Sequence, residues 1–136
     1  MTRRPFLVWF ISGSFILAFI VGNIATVLEL TGVIPIDAAT QQYNAALGYI
    51  GWFASLVSSA IALTAAIQLL MMRRTAVWFF IAALAIDTLE WDRQVFTQGY
   101  ENIVAGIPIS VVLVGWTIRI AIIFYCYRLN QKGLLK

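Results

Sequence analysis

Four long stretches of this chain are predominantly apolar, and no other feature constrains its fold as much. They cover about residues 5–30, 46–72, 75–92 and 107–127. About 20 apolar residues in a helix, at 1.5 Å each, cross the roughly 30 Å hydrocarbon core of a bilayer. Charged residues make up 11% of the chain, against about a quarter in a soluble domain. The sequence therefore predicts an all-α integral membrane protein: one domain over residues 1–136, with four transmembrane helices in an antiparallel bundle.

The distribution of Lys and Arg predicts the orientation of these helices. Seven of the nine basic residues fall at one end of a four-helix arrangement: Arg3, Arg4, Arg73, Arg74, Arg128, Lys132 and Lys136. Arg93 flanks the other end. Because an excess of Lys and Arg marks cytoplasmic loops, we expect both chain termini to be cytoplasmic.

Charge inside the apolar segments is concentrated in the third helix and in one residue of the fourth. Asp87 lies thirteen residues after Arg74, and Arg119 lies nine residues before Arg128. At 1.5 Å per residue they sit about 20 Å and about 13 Å from the same membrane edge. Helix side chains lean toward the N-terminus of their own helix. Because the third and fourth helices run in opposite directions, the side chains of Asp87 and Arg119 lean toward each other. We expect Asp87 and Arg119 to form an intramembrane charge pair.

Glu90 shares a helix face with Asp87, since the two are separated by three residues. We therefore expect Glu90 either to be a second acceptor in the charge pair or to reach headgroup water. Three interpretations of these charges remain open. The pair fixes the register of the helices, as intramembrane charges commonly do, or contributes to a polar substrate or proton site, or contacts a partner protein or a lipid headgroup.

Small residues recur on the second helix at four-residue spacing, at Gly51, Ser55 and Ser59. This pattern lets helix backbones approach closely in lipid. It predicts a helix-packing face, which is either used within the bundle or presented to another chain.

The sequence lacks most of the residue types and motifs that commonly catalyse reactions or bind cofactors. It contains no His and a single cysteine, Cys126, so common metal and haem ligands and an intrachain disulfide are missing. Phosphate-binding loops, nucleophile elbows and metal-ligand motifs are also absent. We expect no enzymatic activity, no cofactor and no metal. The net charge of +3 is spread over segment ends, which argues against nucleic-acid binding.

The region of about residues 43–86 resembles a family of small four-helix bacterial inner-membrane proteins. The resemblance rests on the following features, in order: the aromatic residues Tyr49 and Trp52, the small-residue-rich segment 55–66, the segment 69–72, the pair Arg73 and Arg74, and the aromatic segment 76–80. It implies a multi-pass protein of the bacterial inner (cytoplasmic) membrane.

Two hypotheses about function follow from these features. The first is a non-catalytic accessory or structural subunit of a larger membrane complex, with lipid and other integral membrane proteins as partners. It is favoured by the small size and by the packing face. The alternative is a small oligomeric transporter or channel in which Asp87, Glu90 and Arg119 line the path. The direction of the charged face discriminates the two, since a transport path requires a polar cavity.

Overall fold

The computed structural model describes residues 5–36, 38–99 and 109–136 and is all-helical over these ranges. The helices are α1 (Phe6–Leu30), α2 (Ala38–Leu70), α3 (Thr75–Gln98) and α4 (Ile109–Gln131). Each covers most of one predicted apolar segment, although α2 begins eight residues before its predicted start and ends at Leu70, and α3 continues six residues beyond its predicted end. The predicted start of the fourth helix, at residues 107–108, lies outside the described residues. In lipid a helix satisfies every backbone group within its own segment, so apolar runs of this length fold as helices.

Three of the four helices end in the same backbone motif. After α1, Val33 N–H bonds Leu28 O at 2.9 Å, and Gly32 has a positive φ of 73°. The equivalent hydrogen bond follows α2 and α4. There Met72 (φ 56°) and Gly133 (φ 66°) have the positive φ that Gly32 has after α1. This Schellman arrangement satisfies the last helical carbonyls. The ends of these helices are therefore set by local backbone chemistry.

The helix α2 is broken at Gly48, a feature that hydropathy does not predict. Gly48 has φ 60° and ψ −178°, a non-helical conformation inside an otherwise helical segment. Such a conformation is essentially restricted to glycine. The break separates an N-terminal portion from the long apolar portion that follows.

The four helices form an antiparallel bundle in chain order. The helices α2 and α3 pack together most extensively, α1 packs on α2, and α4 packs on α3. Fully buried side chains gather where α1 and α3 begin and where α2 and α4 end, which we call the basal end. The main members of this core are Val8, Ala65, Leu69, Ala76, Val77, Phe80, Cys126, Leu129 and Leu135. The opposite end is called the distal end.

The last residues of the chain join the basal core. Leu135 is fully buried. Backbone hydrogen bonds link Lys136 to the turn between α2 and α3, from Lys136 N–H to Met72 O (2.7 Å) and from Arg74 N–H to Lys136 O (3.0 Å). Arg74 Nε also donates to Leu135 O at 3.1 Å. The basal end is thus closed by side-chain packing and by these backbone contacts.

Three helical segments are long and apolar enough to cross a membrane: Phe6–Glu29, Leu47–Leu70 and Ile109–Gln131. The fourth predicted crossing, in α3, is not among them. Its second half contains Asp87, Glu90, Asp92 and Arg93. Composition alone therefore identifies a membrane protein with three candidate spans, and the placement of α3 depends on how its charges are satisfied.

Candidate functional site: a polar cavity between the helices

The centre of the site is an ion pair between α3 and α4. Arg119 Nη1 donates a hydrogen bond to Asp87 Oδ2. The structure thus brings together the two residues that depth counting placed at compatible levels. The pair is not sealed in the core, because the Arg119 side chain is 44% exposed and that of Asp87 is 27% exposed.

Arg119 retains most of its hydrogen-bonding capacity. A guanidinium carries five N–H donors, and the bond to Asp87 is the only one that Arg119 makes within the described ranges. Desolvating an unpaired polar group is costly. The remaining donors therefore require water or a ligand when this residue lies at membrane depth.

Glu90 does not act as a second acceptor for Arg119, which was one of the two alternatives that the sequence left open for it. Its carboxylate accepts hydrogen bonds from a residue of its own helix. Arg93 Nε donates to Oε2 at 2.9 Å, and Arg93 Nη2 donates to Oε1 at 2.6 Å. Gln94 Nε2 also donates to Oε1, at 3.1 Å. Residues three and four apart are neighbours on a helix, so the local partners reach Glu90 without help from another helix.

Arg93 and Gln94 are site residues that were not predicted from the sequence. The topology rule treats Arg93 only as a flanking charge, although its three-residue spacing from Glu90 is a readable signal. Gln94 is 4% exposed, which hydropathy does not predict for an amide near the end of a helix.

Arg93 also connects α3 to the break in α2. Its Nη2 donates to Leu47 O at 3.3 Å, and Leu47 directly precedes the non-helical Gly48. A break in a helix leaves nearby carbonyls without intrahelical donors. The guanidinium therefore donates to the α2 backbone at the residue that directly precedes the break.

The Glu90 carboxylate lies beside the first turn of α2 after the break. A Cβ atom built on Gly51 would come within 2.8 Å of Glu90 Oε1 and 2.7 Å of Leu47 Cδ2. Anions are stabilised near a helix N-terminus, where backbone N–H groups point outward. Gly51 therefore allows a close approach between α2 and the Glu90 group.

A half-enclosed cavity of about 540 Å³ lies between the helices, distal to the basal core. All four helices contribute to its wall. Its polar and charged lining residues are Ser55, Ser58, Ser59, Asp87, Glu90, Gln94 and Arg119, with Trp91 and Trp116. Phe15, Phe19 and Phe80 supply much of its apolar surface. The volume is within the range of about 300–1,000 Å³ that is usual for small-molecule sites.

The small-residue face of α2 lines this cavity. Gly51, Ser55 and Ser59 all contribute to the wall, while the adjacent Ser58 is buried and donates to Ala83 O at 3.4 Å. Of the two possible uses of this face, the structure places it within the bundle, at the cavity.

The hydroxyls of Ser55 and Ser59 have no hydrogen-bond partner in the described part of the chain. The threonines of the apolar helices behave differently. Thr64, Thr88 and Thr117 each donate to the carbonyl four residues earlier, at 2.8–2.9 Å. The two serine hydroxyls thus remain available to whatever fills the cavity.

Comparison with known proteins yields no family model, no curated protein and no solved structure that matches this chain. The resemblance over residues 43–86 therefore stays a prediction. Among the described residues, no three Asp, Glu or Cys side chains are grouped in a way that could hold a metal ion.

Proposed function

We propose that the chain is a four-span protein of the bacterial inner membrane with both termini in the cytoplasm. The support is the packing of α3 along α2, an apolar segment of spanning length. A helix joined to α2 by the short turn at residues 71–74 runs back beside it across the same layer. Two of the three acidic residues of α3, Asp87 and Glu90, are paired with Arg119 and Arg93, which lowers the cost of its crossing.

Within this topology we propose that the protein is a small transporter that binds a polar solute in its central cavity. The observation that carries the proposal is the Asp87–Arg119 pair on the wall of a 540 Å³ cavity at membrane depth. Charged side chains inside a membrane commonly line water-filled paths. A pair needed only for helix register would be better enclosed by side chains than exposed to a cavity.

The closed basal end supports access from one side at a time. The core at that end blocks the cavity from the cytoplasmic face, while the cavity extends distally as far as Leu47 and Gln94. A transporter alternates between such a state and its opposite. In this proposal the structure corresponds to the outward-facing arrangement.

Sided cysteine labelling tests the cavity and the topology together. In a Cys126→Ala background, we expect Ser55→Cys to react with a membrane-impermeant thiosulfonate added from the periplasmic side. Leu56→Cys is the matched control, because Leu56 is adjacent, 57% exposed and absent from the cavity wall. It should react much more slowly, since lipid covers it and thiosulfonates need water.

Two further positions report the orientation. Val33→Cys, at the distal end, should react from the periplasm, and Gln131→Cys, at the basal end, should react only after permeabilisation. Equal reactivity of Ser55→Cys and Leu56→Cys would contradict the water-filled cavity. Reversed accessibility of the other two positions would contradict the topology.

A second candidate function, the accessory subunit, is favoured by one specific observation. Gly22 lies on α1, and a Cβ atom built on it would have no neighbour within 4 Å. Gly22 is exposed and is not among the residues that line the cavity. Glycine in membrane helices commonly marks close contact with another helix, and no such contact exists within the described residues. An integral membrane partner or a second copy would supply it.

For this second candidate we expect wild-type protein, solubilised from its native membrane in mild detergent, to migrate in a larger assembly on native gels. Gly22→Leu should release the monomer, because a bulky side chain prevents close helix approach. Val21→Leu, a neighbouring change at an exposed residue, is the matched control. Monomeric wild-type protein would remove the support for the subunit.

A further inference from the structure

Among the described charged residues on the cavity wall, one cationic and one anionic side chain have hydrogen-bonding atoms left for a ligand. The Glu90 carboxylate is occupied by Arg93 and Gln94. Arg119 uses one donor, and Asp87 uses only Oδ2 within the described ranges. The cavity therefore presents a guanidinium with free N–H groups directly beside a carboxylate with a free oxygen.

The net charge of this arrangement is zero. Asp87 and Arg119 cancel, as do Glu90 and Arg93. A ligand with a net charge would leave an uncompensated charge at membrane depth, which is costly in a low dielectric. A ligand with two opposite charges close together keeps the balance and matches the pair.

We propose that the cavity binds a compact, net-neutral zwitterion, with its anionic group on Arg119 and its cationic group on Asp87. The inference rests on the proposed transport function and names its substrate class. Arg119 suits a carboxylate or phosphate because its planar fork donates two parallel hydrogen bonds. The free hydroxyls of Ser55 and Ser59 add further donors and acceptors.

The rest of the cavity favours a ligand with an apolar body. Phe15, Phe19 and Phe80 line the same cavity as the charged groups. Phe15 and Phe80 are in edge-to-face contact, with ring centroids 5.3 Å apart. A zwitterionic head attached to a small apolar group fits both surfaces.

The same head chemistry occurs in free amino-acid-like molecules and in zwitterionic lipid headgroups. The experiment measures how fast the Ser55→Cys variant, in a Cys126→Ala background and a non-ionic detergent, reacts with a thiosulfonate. The probes are alanine, leucine and phenylalanine, each compared with its carboxamide, a cation, and with its N-acetyl derivative, an anion. Each set holds the side chain constant and removes one of the two charges, and the N-acetyl derivative is also larger by its acetyl group.

We expect at least one free amino acid to protect the thiol, and its two derivatives to protect less than about twofold. Protection follows 1 + [L]/Kd, so it reaches about tenfold at a concentration ten times the Kd. A cationic or anionic derivative that protects as well as its parent would overturn the inference. Failure of all nine probes, with labelling intact and equally fast in the two lipids of the second arm below, would also overturn it while leaving the proposed cavity in place.

A second arm distinguishes the source of the zwitterion. The same variant is labelled in nanodiscs of phosphatidylethanolamine and of phosphatidylglycerol. Slower labelling in phosphatidylethanolamine supports the zwitterion chemistry and identifies a lipid headgroup as the occupant. If Ser55→Cys does not react in detergent or in either type of nanodisc, the proposed transport function fails together with the inference.

Substitution of the carboxylate tests the assignment of the cationic group. Asp87→Asn should lose protection by amino acids and gain protection by their N-acetyl derivatives, because Arg119 then faces the cavity without a counter-charge. Asp92→Asn, an exposed change on the same helix, should leave the pattern unchanged. Unaltered selectivity in Asp87→Asn would contradict the assignment. If that variant does not fold, the three sets of probes, each with one side chain and different charges, still decide the inference on the Ser55→Cys variant.

Discussion

Replacing Asp87 with Ala will lower the free energy of unfolding by about 2–3 kcal/mol. The change leaves Arg119 as an unpaired guanidinium at membrane depth. Breaking a fully buried pair costs about 3–5 kcal/mol. We expect somewhat less, because the Arg119 side chain is 44% exposed to the cavity. Unfolding in mixed detergent micelles measures the difference.

The double variant Asp87→Leu with Arg119→Met is the decisive comparison. It removes both charges and retains apolar volume, so its cost should be smaller than that of Asp87→Ala. Asp92→Ala is the matched control, because Asp92 is exposed and makes no ion pair within the described residues. We expect that control to change stability by less than about 0.5 kcal/mol. If the double variant is as unstable as the single one, the two residues do not act as partners.

Replacing Gly48 with Ala is expected to produce the second large effect, a loss of about 1–3 kcal/mol. A Cβ atom is strained at φ 60° and ψ −178°. The variant must either accept this strain or straighten α2, which would draw Leu47 O away from Arg93 Nη2. Thermal unfolding measures the cost, and hydrogen exchange over residues 44–52 reports a change of the break.

Gly13→Ala is the matched control for this substitution. Gly13 lies within α1, and a Cβ atom built there would meet nothing within 4 Å. Because Ala favours helix over Gly, we expect this control to raise stability by up to about 1 kcal/mol. Gain of stability in Gly48→Ala, with unchanged exchange over residues 44–52, would show that the break is not present in the folded protein.

The sequence alone was sufficient for the helices and for the pairing of Asp87 with Arg119. Helix formation in apolar runs is local, because each backbone group bonds within its own segment. The start of α1 and the turn between α2 and α3 could therefore be predicted from hydropathy and the arginine pair. The levels of Asp87 and Arg119 followed from the constant rise of a helix.

The tertiary structure decided which charged and polar side chains contact each other and which of them line a cavity. Glu90 is bonded by Arg93 and Gln94, and not by Arg119. The face with Ser55 lines a cavity, because the main cluster of buried apolar side chains lies at the basal end and the helices leave a space distal to it. The break at Gly48 allows Arg93 to bond α2. Periodicity specifies a helix face but not the element that the face meets, since that depends on how several helices pack together.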